Sequence, residues 1–272
     1  EFITFSEGRL RNRGRVLFRP AVRAIHRRLP NGWRREDLAS SIQTHAERLT
    51  TAYVGQHLST GGPPHLAIAG GLFANVRINQ ELAEMPGVES VFIHPGMTDV
   101  GLAVGAALAP CMRLGKNRRM DPVTRVLSTV YVGPSYTPKE IASALDARNM
   151  AYTQPVDIEA EIAQLLADGY VVARFDGRME YGPRALGNRS ILYQPSDTSV
   201  NNWLNESLQR TEFMPFAPST LMDQADRSYK GVSSAREAAR FMTITFNCTE
   251  WMKQTCPGVV HLDGTARPQL VR

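Results

Sequence analysis

The chain has 272 residues, 43% of them hydrophobic and 21% charged, which is enough apolar material for a substantial core and enough length for two ordinary domains. No run approaches the roughly 18 apolar residues needed to cross a bilayer, and the amino terminus lacks the apolar stretch of a secretory signal, so a soluble cytoplasmic protein with no membrane partner is expected. Cys111, Cys248 and Cys256 form neither a paired framework nor a CxxC metal knuckle, which favours reduced thiols.

The net charge of +5 is unevenly spread: residues 1–35 hold ten arginines against Glu1 and Glu7, a local balance of +8 that leaves −3 for the remainder. Such a strip, with Phe18 and Trp33 nearby, has the composition of a surface that tracks a nucleic-acid backbone. A solvated basic face, or a surface covered by further protein, has the same composition. These blander readings are preferred, and nucleic acid is not expected as a partner.

In chain order, Asp37 precedes Leu38, Ile42, Ala46, Leu49, Tyr53 and Val54, a spacing of three and four that predicts a helix behind an Asp37 N-cap, ending near Gly61-Gly62-Pro63-Pro64. HLAIAGG (65–71) reads as a strand entering paired glycines, 75–85 as a helix, ESVFIH (89–94) as a strand and LAVGAALAP (102–110) as a small-residue helix. The order is α/β. LGKNRRMDP, in the interval 113–122, combines Gly, Pro and charge without periodicity and marks a linker. Beyond it, VLSTVYVG (126–133) suits a strand, 137–149 and 157–169 suit helices opened by Thr137-Pro138 and closed by Gly169, and YVVARFDG (170–177) is a strand. Further strands are predicted at 189–194 and 241–247, with a helix over 200–208.

The stretch FDGRMEYGPRALGNRSIL (175–192) is the most informative. Gly177, Gly182 and Gly187 let backbone N–H groups approach a ligand, while Arg178, Arg184 and Arg189 offer guanidinium forks for phosphate or carboxylate. Asn188 and Ser190 add neutral donors, and Glu180 is placed to orient an arginine. On chemistry alone, a structural turn with surface arginines and a phosphate site are equally good readings.

GRMEYGPRALGNRSIL resembles the signature of the carbamoyltransferase family that includes antibiotic and nodulation-factor O-carbamoyltransferases. LNESLQRTEFMPFAPSTL (204–221) and HLDGTARPQLV (261–271) resemble two later blocks of the same family. Thr211 and Met214 depart from residues common in those relatives, so Arg210 carries over whereas an anion contact from position 214 does not. AGGLFANVRINQEL (69–82) resembles the family's paired-glycine nucleotide loop, and HPGMTDVGLAVGAAL (94–108) its Pro-Gly-x-x-Asp-x-Gly block.

The resemblance implies the second lobe of an actin-like (ASKHA, Kae1-like) carbamoyl-transfer domain over 1–112, a linker over 113–122, and a YrdC-like carbamoyl-activating α/β domain over 123–272 that stops short of the family's carboxyl end. The first actin-like lobe, which family chains carry, is expected to be missing from this sequence. ATP and carbamoyl phosphate are the implied substrates, with Mg²⁺ at activation and Fe²⁺ or another divalent metal at transfer. Arg178, Arg184, Arg189, Arg210 and Arg267 are the implied catalytic cations, and Gly70, Gly71, Asn75, Gly182, Asn188 and Ser190 the implied nucleotide or substrate contacts.

In the family pattern the aspartate matching Asp99 holds the metal beside a His-x-x-x-His pair. None of His26, His45, His57, His65, His94 or His261 has that spacing, so Asp99 is an incomplete metal site or a helix cap. The implied acceptor is a sugar, aminoglycoside or lipo-chitooligosaccharide hydroxyl, and homodimers fall within the expectation. Alternatives are a hydrogenase-maturation or tRNA threonylcarbamoylation protein, against which GPRALGNRS argues, a nucleic-acid-binding module built on the basic segment, and a catalytically inactive scaffold.

Overall fold

A computed structural model of the chain describes residues 3–62, 64–118, 127–207, 209 and 216–272. The basic amino-terminal segment forms an antiparallel hairpin, β1 (Ile3–Ser6) and β2 (Arg9–Asn12), followed by α1 (Phe18–His26), on which Phe18 is 87% exposed. The long helix α2 (Arg35–Ser59) starts two residues before the expected Asp37 cap. Asp37 lies in the first turn, where its carboxylate meets both arms of Arg34 at 2.9 and 3.0 Å. An acid so placed opposes the helix dipole, and its oxygens are already occupied by the guanidinium.

Next comes a parallel β-α-β unit: β3 (His65–Ile68), α3 (Val76–Ala83) and β4 (Ser90–Ile93), in register from His65 opposite Ser90 to Ile68 opposite Ile93. Asn75 caps α3 by accepting from the N–H groups of Arg77 and Ile78. α4 (Gly101–Arg118) continues past Pro110 into the segment read as a linker.

In the second half, α5 (Pro138–Asp146) opens with a reciprocal Thr137–Glu140 capping box, and α6 (Ile158–Ala167) is capped by Asp157 and closed by Gly169 at φ +84°. β5 (Val172–Phe175) pairs antiparallel with β6 (Arg189–Leu192), so the Gly-rich loop is the connection between two bonded strands. α7 (Ser199–Ser207), β7 (Ser219–Leu221), α8 (Ala225–Ser228), α9 (Arg236–Ala239), β8 (Phe246–Asn247), α10 (Glu250–Thr255), β9 (Thr265–Ala266) and β10 (Gln269–Val271) complete the chain. β7 pairs parallel with β10, and β8 antiparallel with β9. Among the described residues no helix is long and apolar enough to cross a membrane.

Two predicted strands shrink for identifiable reasons. Of 241–247, only Phe246–Asn247 joins a ladder, because the preceding residues bond to α3 instead. The Thr243 carbonyl accepts from Asn79 Nδ2 at 2.7 Å, the Thr245 N–H donates to the Val76 carbonyl, and Thr245 Oγ1 donates to Gln80 Oε1 at 2.9 Å. Of 127–133, only Tyr131 makes a bridge, to Glu180, and the carbonyls of Val132 and Gly133 accept from Arg178.

One core joins the two halves of the sequence. Val91, Ile93 and Met97 pack with Tyr229, Val232, Ala238, Ile244, Phe246 and Leu270, and the polar bonds of Asn79 and Gln80 seal its edge. Ile244 is fully buried in this cluster. Ile244→Ala is expected to lower unfolding free energy by about 2–5 kcal/mol, since truncation leaves a cavity that close packing cannot fully collapse. Urea denaturation followed by tryptophan fluorescence and circular dichroism should show both transitions moving together. A shift confined to one probe would mean that the halves unfold separately.

Candidate functional site

The loop between β5 and β6 is organised from within by one carboxylate. Glu180 is 8% exposed, and its Oε1 accepts the N–H groups of Asn188 at 2.7 Å, Leu186 at 2.9 Å and Arg189 at 3.1 Å. Burial, the largest single influence, pushes the Glu180 carboxyl up, but its main-chain donors together outweigh burial and hold it below the usual glutamate range. The Leu186 carbonyl is gripped from the other side by Tyr131 Oη at 2.6 Å and Gln269 Nε2 at 2.9 Å.

Most of the polar side chains that the sequence singles out here bond inside the loop and its supports. Arg178 donates to the carbonyls of Val132 at 2.7 Å and Gly133 at 3.1 Å. Arg189 donates to those of Asp176 and Gly177 and lies 3.7 Å over the Phe175 ring. Asn188 Nδ2 donates to the Arg178 carbonyl, its Oδ1 accepts from Arg174, and Ser190 Oγ accepts the Gly187 N–H. Gly182 has φ +110°, and a Cβ there would come within 2.9 Å of the Pro95 carbonyl, so this glycine lets the loop rest on the turn after β4. Tyr181 completes the contact, its ring edge-on to His94 and its hydroxyl donating to the Val100 carbonyl.

Arg184 leaves this frame. Its Nη2 donates to the Ala74 carbonyl at 3.3 Å, which places the side chain against the residue preceding the α3 cap. There it lines a cleft of about 480 Å³ together with Arg267, Asn75, Arg77, His261 and Asp263. The cleft brings together three residues anticipated from the sequence, Asn75, Arg184 and Arg267, from both halves of the chain. Asn75 uses its Oδ1 as the helix cap and donates its Nδ2 to Gln43 at 2.7 Å, anchoring this wall to α2.

Arg77, His261 and Asp263 were not singled out from sequence, although the last two sit in the block HLDGTARPQLV and Arg77 is two residues beyond Asn75. Burial acts most strongly on Asp263 and raises it, but donation from Thr265, with His261 and Arg77 nearby, holds the carboxyl below its ordinary range. Burial depresses His261, Asp263 opposes that effect and Arg267 adds to it, so the imidazole is neutral at neutral pH. Arg77 acts on Asp263 and is also paired to Glu81, and with Arg184 and Arg267 in the same lining the described residues of the cleft suit an anion.

The other sequence-derived residues lie elsewhere. Gly70 donates its N–H to the Met97 carbonyl at 2.6 Å with φ +113°, and Gly71 begins a short 3-10 turn. Gly70 and Asp99 line a second, mainly apolar cleft of about 490 Å³ that also contains His94. Asp99 is exposed, and its carbonyl accepts the Leu102 N–H at the start of α4. Among the described residues no three His, Cys, Asp or Glu side chains are placed to hold a metal ion. The donors among the described residues therefore do not by themselves fit a transition metal. Arg210, with Thr211 and Met214, lies outside the described residues.

A mixed α/β frame carries a cleft whose lining includes Arg77, Arg184 and Arg267, from both halves of the chain. The sequence matches the Carbamoyltransferase N-terminus over residues 13–108 and the Carbamoyltransferase C-terminus over 163–272, and the chain belongs to the carbamoyltransferase family. It is 33% identical over 242 residues to an uncharacterized protein of Methanocaldococcus jannaschii, covering 87% of this chain and 39% of that one. It is 31% identical over 265 residues to the nodulation protein NolNO of Sinorhizobium fredii, covering 95% and 38%, and 33% identical over 238 residues to nodulation protein U of Azorhizobium caulinodans, covering 86% and 40%. The chain thus spans 38–40% of the length of these relatives.

The Glu180 arrangement has a measurable signature. Glu180→Gln is expected to cost about 1.5–3 kcal/mol of stability at neutral pH, the usual worth of hydrogen bonds to a charged group. Because the folded pKa is depressed, this stabilisation is present above the ordinary glutamate value of about 4.3 and is lost as pH falls through the folded value. The gap in unfolding free energy between wild type and variant should therefore close on acidification. A gap that stays constant from about pH 7 to about pH 3 would show that ionisation of Glu180 is not what stabilises the loop.

Proposed function

We propose that the protein works in ATP-dependent O-carbamoyl transfer, with the cleft between Arg184, Arg267 and Arg77 holding the phosphate-bearing substrates of carbamoyl activation. The observation that carries this reading is the convergence of guanidiniums from two separate family blocks on one cleft whose other wall is the capped start of α3. Activation gathers two polyanions: water cleaves carbamoyl phosphate to carbamate and inorganic phosphate, and the carbamate oxygen then attacks the α-phosphorus of ATP, forming carbamoyladenylate as pyrophosphate leaves. That work is positional and electrostatic, and it suits fixed guanidiniums more than a nucleophile.

In this reading Arg184 and Arg267 bind phosphoryl oxygens, Arg77 adds a third cation from α3, and neutral His261 can accept or donate one hydrogen bond without adding charge. Arg178 and Arg189 support the loop rather than the ligand. The carbamoyl acceptor is a hydroxyl of a sugar-containing molecule, selected by pocket shape.

Isothermal titration provides the test. Arg184→Ala is expected to weaken binding of ATP or carbamoyl phosphate by roughly 2–5 kcal/mol, on the order of 30-fold to several thousandfold. Wild-type affinity of that variant for both ligands would remove the cleft from the activation step. Pyrophosphate release from ATP should likewise require carbamoyl phosphate and be lost in the same variant.

A further inference from the structure

We infer that Glu180 is a positioning residue for anion binding, acting through the main chain of residues 186–189 to aim Arg184 into the cleft. The inference rests on the reading of Arg184 as a ligand contact, and it keeps for Glu180 the arginine-orienting task its sequence suggests but routes it through the main chain. In sequence, a glutamate among arginines invites pairing with one of them. In the structure its Oε1 instead gathers the N–H groups of Leu186, Asn188 and Arg189.

Three main-chain donors on one oxygen close residues 180–189 into a ring, and Arg184 stands at the middle of the arc. The arc is held at further points through groups other than the Arg184 side chain, which itself donates to the Ala74 carbonyl. The Leu186 peptide is fixed on its carbonyl side by Tyr131 and Gln269, and residues 181 and 182 abut the Pro95-Gly96 turn, where Gly182 admits no Cβ without meeting the Pro95 carbonyl at 2.9 Å. On the strand side, the Tyr181 N–H donates to the Val130 carbonyl at 2.7 Å and the Asp176 N–H to the Asn188 carbonyl at 3.1 Å. Within this set Glu180 is the shared acceptor for the returning arm, residues 186–189, so its charge sets how tightly that arm is drawn in. A long side chain at the apex of an arc transmits a small hinge movement into a large displacement of its guanidinium, and misplacement by about 1 Å is enough to weaken a directed contact substantially.

The experiment is a double-mutant cycle on the whole chain, with inorganic pyrophosphate and carbamoyl phosphate as probes. Glu180→Gln keeps an oxygen acceptor but removes the charge, and it is expected to weaken binding about tenfold when Arg184 is present and less than about twofold when Arg184 is already alanine. Equal losses in both backgrounds would overturn the inference, because Glu180 would then act on binding independently of Arg184. Wild-type affinity in Glu180→Gln would overturn it as well, while leaving the cleft assignment intact. Unchanged binding in Arg184→Ala alone would instead remove the cleft reading on which the inference depends.

Should Glu180→Gln not fold, Glu180→Asp, which keeps the charge and withdraws it by one methylene, must show the same dependence on Arg184. Failure of both variants to fold would also overturn the inference, since the carboxylate would then hold the domain rather than aim one side chain.

Discussion

Three main-chain N–H groups converge on one oxygen of Glu180, and the candidate site depends on that convergence. A loop rich in glycine loses much conformational entropy on ordering, with about 1–2 kcal/mol per residue to be offset for the backbone alone. Gly177, Gly182 and Gly187 all take positive φ, so the chain here adopts shapes that few other residues tolerate and that nothing local enforces. An ionised acceptor offsets the cost where neutral ones would struggle, because bonds to a charged group are roughly twice as strong as neutral ones. The same donors counter the penalty of burying the charge, and the depressed carboxyl is the visible result.

The arginines of this region divide by where they sit. Arg178 and Arg189 point at carbonyls, and a guanidinium with five donors in a rigid fork can tie several chain segments at once, a task that a lysine point charge could not perform. Arg184 and Arg267 line the cleft opposite the amino-terminal wall of α3. The common core of Val91, Ile93, Ile244 and Leu270 sets the spacing between those walls, so the distances across the cleft are fixed by close packing rather than by a flexible hinge. Packing far from the cleft thus determines how well its charges meet a ligand.

Local rules made much of this legible in advance. The Thr137 cap, the Gly169 stop, the β-α-β order of 65–93 and the strands flanking the Gly-rich loop all follow from patterns spanning fewer than about ten residues. The misses are long-range in origin. Residues 241–245 have the composition of a strand but bond to α3, more than 160 residues away in sequence, and that competition leaves no local trace. Asn75, Arg184 and Arg267 were recoverable because each lies in a block that resembles a family signature. Arg77 lies in the same block as Asn75 but was passed over, because an arginine at the start of a helix is ordinarily a solvated residue, and only the fold places it in the cleft lining. The partners of Glu180 were hidden for a related reason: they are backbone amides, which carry no residue identity.

Charge inside the cleft is regulated by its two titratable neighbours as much as by its arginines. His261 and Asp263 are separated by one residue, yet they respond in a way that preserves a single state at neutral pH. Burial keeps the imidazole neutral and Arg267 reinforces that, while Thr265 holds Asp263 ionised through both its N–H and its hydroxyl. A protonated His261 would add a fourth positive charge beside Arg267, raising the repulsion that the unliganded cleft must bear. A protonated Asp263 would remove a carboxylate from the described cleft lining and do the same. With the imidazole neutral and the carboxylate charged, the described lining sets Arg77, Arg184 and Arg267 against Asp263, and a balance of that sign favours a polyanion in the proposed reading.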